Sequence, residues 1–431
     1  MTSNPMKHAY RASILHFIGD GDAQYIEDGL MVVEDGLVVS VGDAATGLAM
    51  LESSVEVQDF SGRLLMPGFI DTHIHYPQVD VIASYGEQLL DWLNHYTFPA
   101  ELEFEDPTHA RSTAQFFLNE LLKNGTTSAL VFGTKHADSV QAFFEASTAL
   151  NTRMICGKVM MDRNAPEALC DDAQSSYDES QALIDQWHEK GRQLYAVTPR
   201  FAITSTPEQL QKAGELLQNN PSVYMQTHLS ENQDEIAFTL SLFPDRKDYL
   251  DVYDHYGLLG PKSVFAHGVH LSDDEFQRLA ATGSSISFCP TSNLFLGSGL
   301  FDLTKAQSCS TQVSVASDVG AGTSFSMLRT LSEAYKVCQL RNHSLDAKAA
   351  FYMATLGNAK TLQLDHLIGN FEAGKEADFI ILDDRCTDLM ARRQSKCRTL
   401  DERLFSLMML GDDRAISHTF IAGQCQYRRD A

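Results

Sequence analysis

A chain of 431 residues with 44% apolar and 21% charged side chains can bury a large core, as one large domain with a smaller companion. Its 33 basic against 57 acidic residues leave a formal charge of −24, which argues against nucleic acid or an anionic membrane as partner, and against a highly anionic substrate. No stretch approaches the ~18 apolar residues of a membrane span, residues 1–10 lack the pattern of a signal peptide, and the eight cysteines are scattered without a C-x-x-C pair, so a reduced, cytoplasmic protein is expected.

Residues 1–65 carry short β-type runs punctuated by Gly and Asp, such as G-L-M-V-V-E-D-G-L-V-V-S-V-G, and predict a small antiparallel sheet. From about Met66 strands alternate with amphipathic helical patterns. Strands are expected near residues 65–73, 127–133, 153–160, 194–202, 222–228, 263–267, 285–289 and 313–317. One intervening helix is signalled by Ser205-Thr206-Pro207, a cap followed by proline in the first turn. This alternation fits a (β/α)8 TIM-like barrel over residues 66–367 better than a doubly wound sheet. After Leu367 the β texture returns in I-G-N-F-E-A-G-K-E-A-D-F-I-I-L-D. Residues 368–431 are therefore expected to join residues 1–65 in a small composite β-sandwich domain, giving an α/β fold with both chain ends in one unit.

Four of the barrel segments end in potential metal ligands. His73 and His75 lie two apart in P-G-F-I-D-T-H-I-H, and strand side chains alternate with period two, so both point to one face. His228 ends Y-M-Q-T-H-L-S-E, His267 ends V-F-A-H, and Asp318 follows V-A-S in V-A-S-D-V-G. A lone strand histidine is usually a hydrogen-bonded core residue; the set makes a catalytic metal site, with N/O ligands and one position left for water. His270 is the decoy beside His267. His8, His16, His95, His188, His343 and His418 fall in helical, loop or outer-sheet contexts.

The chemistry follows from the residue types. A divalent cation lowers the pKa of bound water to around 7. Asp318 suits the role of base, Glu231 three residues beyond His228 that of proton shuttle, with its pKa raised by burial, and His267 that of hydrogen-bond partner to the reacting oxygen. Competing motifs are absent: neither H-E-x-x-H nor H-x-E…P-C-x-x-C occurs. Residues 369–376 miss a phosphate loop because Glu376 stands where Ser or Thr would hold Mg²⁺. Cys289 is read as a buried structural thiol.

P-G-F-I-D-T-H-I-H, H-L-S-E, A-H-G and S-D-V-G-A-G-T resemble the amidohydrolase superfamily across nearly the whole chain. The segments H-I-H-Y-P-Q, L-L-D-W-L-N-H-Y-T-F-P-A-E, T-P-R-F-A-I-T and C-P-T-S-N-L-F-L-G-S-G are similar to its guanine deaminase family. The resemblance implies one Zn²⁺ per subunit held by His73, His75, His228 and Asp318, with Fe²⁺ the open alternative because His/Asp sites suit both. The fourth strand carries Pro199-Arg200-Phe201 and no lysine to bridge a second metal, which favours a mononuclear site. Gln78 and Arg200 are implied to read the polar edge of a purine and Phe201 to pack on its ring, with His75, His228, Glu231 and Asp318 also bordering the substrate.

A guanidinium donates to O6 or N7 of guanine, and a carboxamide both gives and takes. Asp91 and Trp92 are candidate pocket contacts. The expected reaction is guanine plus water to xanthine and ammonia, in a cytoplasmic homodimer. Two alternatives stand beside it: a related heterocycle such as 8-oxoguanine, a pterin or cytosine, or a non-catalytic homologue acting in binding or assembly.

Overall fold

The computed structural model describes residues 7–430 apart from Asp20 and Glu87; the first six residues, part of the segment read above for a signal peptide, lie outside the described residues. Two sheets organise the chain. Eight parallel strands run in chain order round a barrel: Phe69–His75, Thr126–Phe132, Arg153–Gly157, Gln193–Pro199, Tyr224–Leu229, Ser263–His267, Ser285–Phe288 and Gln312–Val315. The first, second and fourth are buried along their whole length, as expected of parallel strands covered on both faces. The other sheet has seven strands drawn from both chain ends, with Phe379–Leu382 pairing antiparallel with Glu56–Pro67 at its centre.

Pro67-Gly68 is the hand-off between the sheets. Leu64–Pro67 pairs with Phe379–Leu382, so the expected first barrel strand at 65–73 starts later, at Phe69. The apolar run is continuous across this point and its periodicity gives no break. Gly68 permits the crossing, because a Cβ there would meet the Thr127 Oγ1 at 2.1 Å. The expected 153–160 strand is interrupted at Lys158, with only Val159–Met160 continuing beside the fourth strand.

The N-terminal strands are not purely antiparallel. Lys7–Ile18 pairs parallel with Glu56–Pro67, because the hairpin of Asp22–Glu34 and Leu37–Asp43 and the helix Ala44–Met50 intervene and return the chain in the same direction. Residue patterning carries no signal for strand direction. Among the C-terminal strands the helix Leu400–Leu410 sinks Leu404, Leu407 and Met408 into the barrel's core.

The first and eighth strands meet through side chains rather than a regular ladder. Asn358 donates to the carbonyls of Ile70 (2.7 Å) and Val315 (2.8 Å) and accepts from the Val315 amide at 3.0 Å. Thr72 Oγ1 donates to Ser314 Oγ at 2.8 Å in the same seam. The seam places the end of strand one beside the loop after strand eight, where His75 N donates to Val319 O at 2.7 Å and Asp318 N to His73 O at 2.9 Å.

Candidate metal centre and active site

The ends of the first and fifth strands and the loop after the eighth bring four ligand atoms together. His73 Nε2 lies 3.2 Å from His75 Nε2, which lies 3.3 Å from His228 Nε2. Asp318 Oδ1 is 3.2 Å from His73 Nε2 and 3.3 Å from His75 Nε2. Ligand atoms ~2.0–2.1 Å from a tetrahedral ion stand roughly 3.3–3.4 Å apart, so these separations match the edge of such a cage. His228 Nδ1–H donates to the Arg200 carbonyl at 2.7 Å, which leaves the Nε2 lone pair facing the centre.

Protonation states favour a cation. Burial pushes His75 down to about 3 and lowers His73 and His228 too, so the imidazoles offer lone pairs. Burial opposes ionisation of Asp318, yet the surrounding imidazoles outweigh it and hold the carboxyl well below the usual range. Asp71 anchors this corner, accepting from the amides of His73 at 3.3 Å and Ser317 at 3.1 Å and from the Ser317 hydroxyl. Asp318 and His267 have φ of 53° and 73°. Such left-handed non-glycine backbone costs about 1–3 kcal/mol per residue and aims these side chains inward.

Glu231, three residues beyond His228, also lines the cleft and is fully buried. Its Oε1 accepts from Ser298 Oγ at 3.0 Å, and its Oε2 is 3.4 Å from His267 Nε2. Burial, reinforced by the Asp318 charge and opposed by Ser298, pushes its carboxyl up to about 8. Its backbone is fixed by Glu235, which accepts from the amides of Glu231 (2.8 Å) and Asn232 (3.1 Å) while Tyr249 donates to it at 2.9 Å. His267 Nδ1 pairs with Asn293 Oδ1 at 2.9 Å, and its Nε2 makes no hydrogen bond within the protein.

The rest of the cleft is built differently. Arg200 Nη1 donates to both Glu101 oxygens at 2.8 Å, and Gln78 Nε2 donates to Glu101 Oε1 at 3.1 Å. Leu89, Trp92, Leu93, Phe201, Leu296 and Ala321 supply apolar walls to a space of about 390 Å³. The cleft is narrow.

The structure brings together His73, His75, Gln78, Arg200, Phe201, His228, Glu231, His267 and Asp318, all but His73 lining the cleft. Trp92 also lines it, whereas Asp91 is exposed and does not. His270 stays outside and binds the Ser298 carbonyl at 2.8 Å, holding the loop that carries Glu231's donor. Cys289 lies near enough to His73, His267 and Asp318 to be counted with them as a ligand group. Burial keeps its thiol protonated, and it donates to the Ser287 carbonyl at 3.3 Å.

Glu101, Ser298, Asn293 and Glu235 are absent from the sequence reading. Each acts by holding another group in place: Glu101 lies inside the aromatic segment quoted above and Asn293 and Ser298 inside C-P-T-S-N-L-F-L-G-S-G, but no local pattern marks which groups they hold.

Residues 64–425 match the amidohydrolase family. The chain is 53% identical over 407 residues to the guanine deaminase of Escherichia coli K12, covering 94% of this chain and 93% of that protein. The solved structure of E. coli guanine deaminase superposes with a TM-score of 0.97 at 51% identity, over 98% of this chain and 100% of the other. Guanine deaminase from C. acetobutylicum, solved with guanine in its active site, gives a TM-score of 0.88 at 29% identity over 98% and 100%.

Proposed function

The chain belongs to the amidohydrolase family, and from its cleft and its relatives we infer that it catalyses the hydrolytic deamination of guanine, giving xanthine and ammonia. Amidohydrolases are generally metal-dependent, and the buried His/Asp group is a possible metal site. The observation that carries the reading is the pairing, in one narrow cleft, of four convergent ligand atoms with a Gln–Arg edge suited to a lactam.

The proposed holder of one zinc ion is the set His73, His75, His228 and Asp318, supported by their near-tetrahedral spacing; iron(II) is distinguished by elemental analysis. When bound, the ion acidifies water and polarises the ring carbon. Gln78 and Arg200 hold the O6, N1–H and N7 edge and Phe201 packs on the ring, which directs C2 and its amine toward Glu231. As the water oxygen adds to C2, Asp318 accepts the proton it gives up and Glu231 delivers its own to the adjacent ring nitrogen. His267 Nε2, unpartnered in the protein, hydrogen-bonds the entering oxygen. The proton held by Asp318 then passes to the amine, which leaves as ammonia, while the proton remaining on the C2 hydroxyl goes to Glu231, restoring both carboxyl groups and leaving the C2 carbonyl of xanthine.

The test is ammonia release by metal-replete protein from guanine, 8-oxoguanine, adenine and cytosine; a guanine rate no higher than the others removes the substrate assignment.

Further proposals concern the molecule's surroundings. All eight cysteines are free thiols, which supports the cytoplasm as its compartment. None of the described helices is long and apolar enough to cross a membrane. A homodimer, the assembly the resemblance implies, is tested by sedimentation. The division into 1–65, 66–367 and 368–431 is supported by the membership of the two sheets, and limited proteolysis tests it.

A further inference from the structure

We propose that Glu101 is the positioning residue for substrate selection, fixing the donor and acceptor directions of Gln78 and Arg200 together; the proposal rests on the guanine reading above. Glu101 is fully buried on the short helix Phe98–Leu102, outside the barrel strands. An ionised carboxylate only accepts hydrogen bonds. Here it takes three, two from Arg200 Nη1 and one from Gln78 Nε2.

Two consequences follow. First, the Gln78 amide has one permitted orientation. Nε2 must face the carboxylate, so Oε1 faces the other way, toward the Gly320 amide 3.4 Å distant. Without that acceptor the amide can turn over and present a donor where the substrate's N1–H needs an acceptor. Second, Arg200 is held through Nη1 alone. Among the described residues its Nη2 and Nε have no protein acceptor, on a side chain that lines the cleft. The guanidinium is also braced by Phe98, one turn before Glu101 on the same helix, with its Cζ 5.4 Å from the ring centroid. The helix thus carries both the acceptor and the platform for the arginine. Charge supports the same conclusion: Glu101 neutralises Arg200 inside the cleft, leaving a site for a neutral ring with a mixed donor–acceptor edge.

A helix-anchoring ion pair with no say in recognition would leave the same picture, and inhibitor selectivity separates the two. Hypoxanthine has the O6 and N1–H edge without the amine, while purine has neither. In the zinc-loaded wild type, hypoxanthine should inhibit guanine turnover with the lower Ki. In Glu101→Gln, isosteric but no longer acceptor-only, the hypoxanthine Ki and the guanine KM should both rise at least about tenfold. The purine Ki should stay within about threefold, and kcat should change less than KM. Equal loss for both inhibitors, or retained selectivity, overturns the proposal.

Glu101→Asp keeps the charge and is the second variant should the glutamine protein not fold. Its shortened reach should raise the hypoxanthine Ki at least about threefold, and a wild-type Ki ratio there also overturns the proposal. If the wild type itself binds purine as tightly as hypoxanthine, the lactam reading of the cleft fails, and the role of Glu101 with it.

Discussion

Replacing Glu231 by glutamine should cut turnover steeply and stabilise the metal-free protein at alkaline pH. The side chain is isosteric and fully buried, and its ordered contacts are few: a donated bond from Ser298 at 3.0 Å and His267 Nε2 at 3.4 Å. Losing a positioned proton carrier costs ~10²–10⁴ in rate, or roughly 3–5 kcal/mol of barrier, with KM nearly unchanged because ring contacts elsewhere persist. The stability effect has the opposite sign. The carboxyl rises from 4.5 to about 8 on folding, so between these values the folded state holds a proton that the unfolded state has released. Stability therefore falls as pH rises through this window.

At ~1.4 kcal/mol per pH unit the penalty reaches at most roughly 5 kcal/mol above pH 8, and glutamine escapes it. Below about pH 4 the two proteins should converge, since both states of the carboxyl are then protonated. Urea unfolding with chelator across this range measures the difference, and steady-state kinetics with elemental analysis measure the rest. Metal lost in step with activity would make Glu231 a ligand. A rate loss below about tenfold would remove it as proton carrier, and a stability difference independent of pH would refute the burial argument.

Other outcomes follow from the same geometry. Alanine at His73 or His228 should lower bound metal below one per chain and leave activity that added Zn²⁺ restores poorly, whereas chelated wild type should recover on metal addition. Arg200→Met strands the buried Glu101 carboxylate and should cost about 3–5 kcal/mol, partly recovered in the Glu101→Gln/Arg200→Met double variant, as read by urea unfolding. Asn358→Ala removes three bonds across the barrel seam and should cost about 2–4 kcal/mol while moving kcat as well, because the seam aligns Asp318 with His73. In the active enzyme, the loss of kcat/KM toward high pH that reports a protonated Glu231 should be missing from the residual activity of Glu231→Gln.

The amino-acid sequence determined whatever depends on near neighbours along the chain. Period-two spacing puts His73 and His75 on one face, H-x-x-E sets Glu231 just past His228, and strand–helix alternation calls for a barrel. Direction and partnership were not legible. The parallel pairing of Lys7–Ile18 with Glu56–Pro67 depends on how an intervening hairpin folds back. Pro67-Gly68 lies within one apolar run whose two ends serve different sheets.

The electrostatics were decided at the tertiary level for the same reason. Glu101 becomes an acceptor for Gln78 and Arg200 only when residues 23 and 99 positions away are packed against it. Glu231 holds a proton toward pH 8 only because folding removes water around it and brings Asp318 close. Desolvation and long-range contact belong to the closed barrel, and no local pattern encodes them.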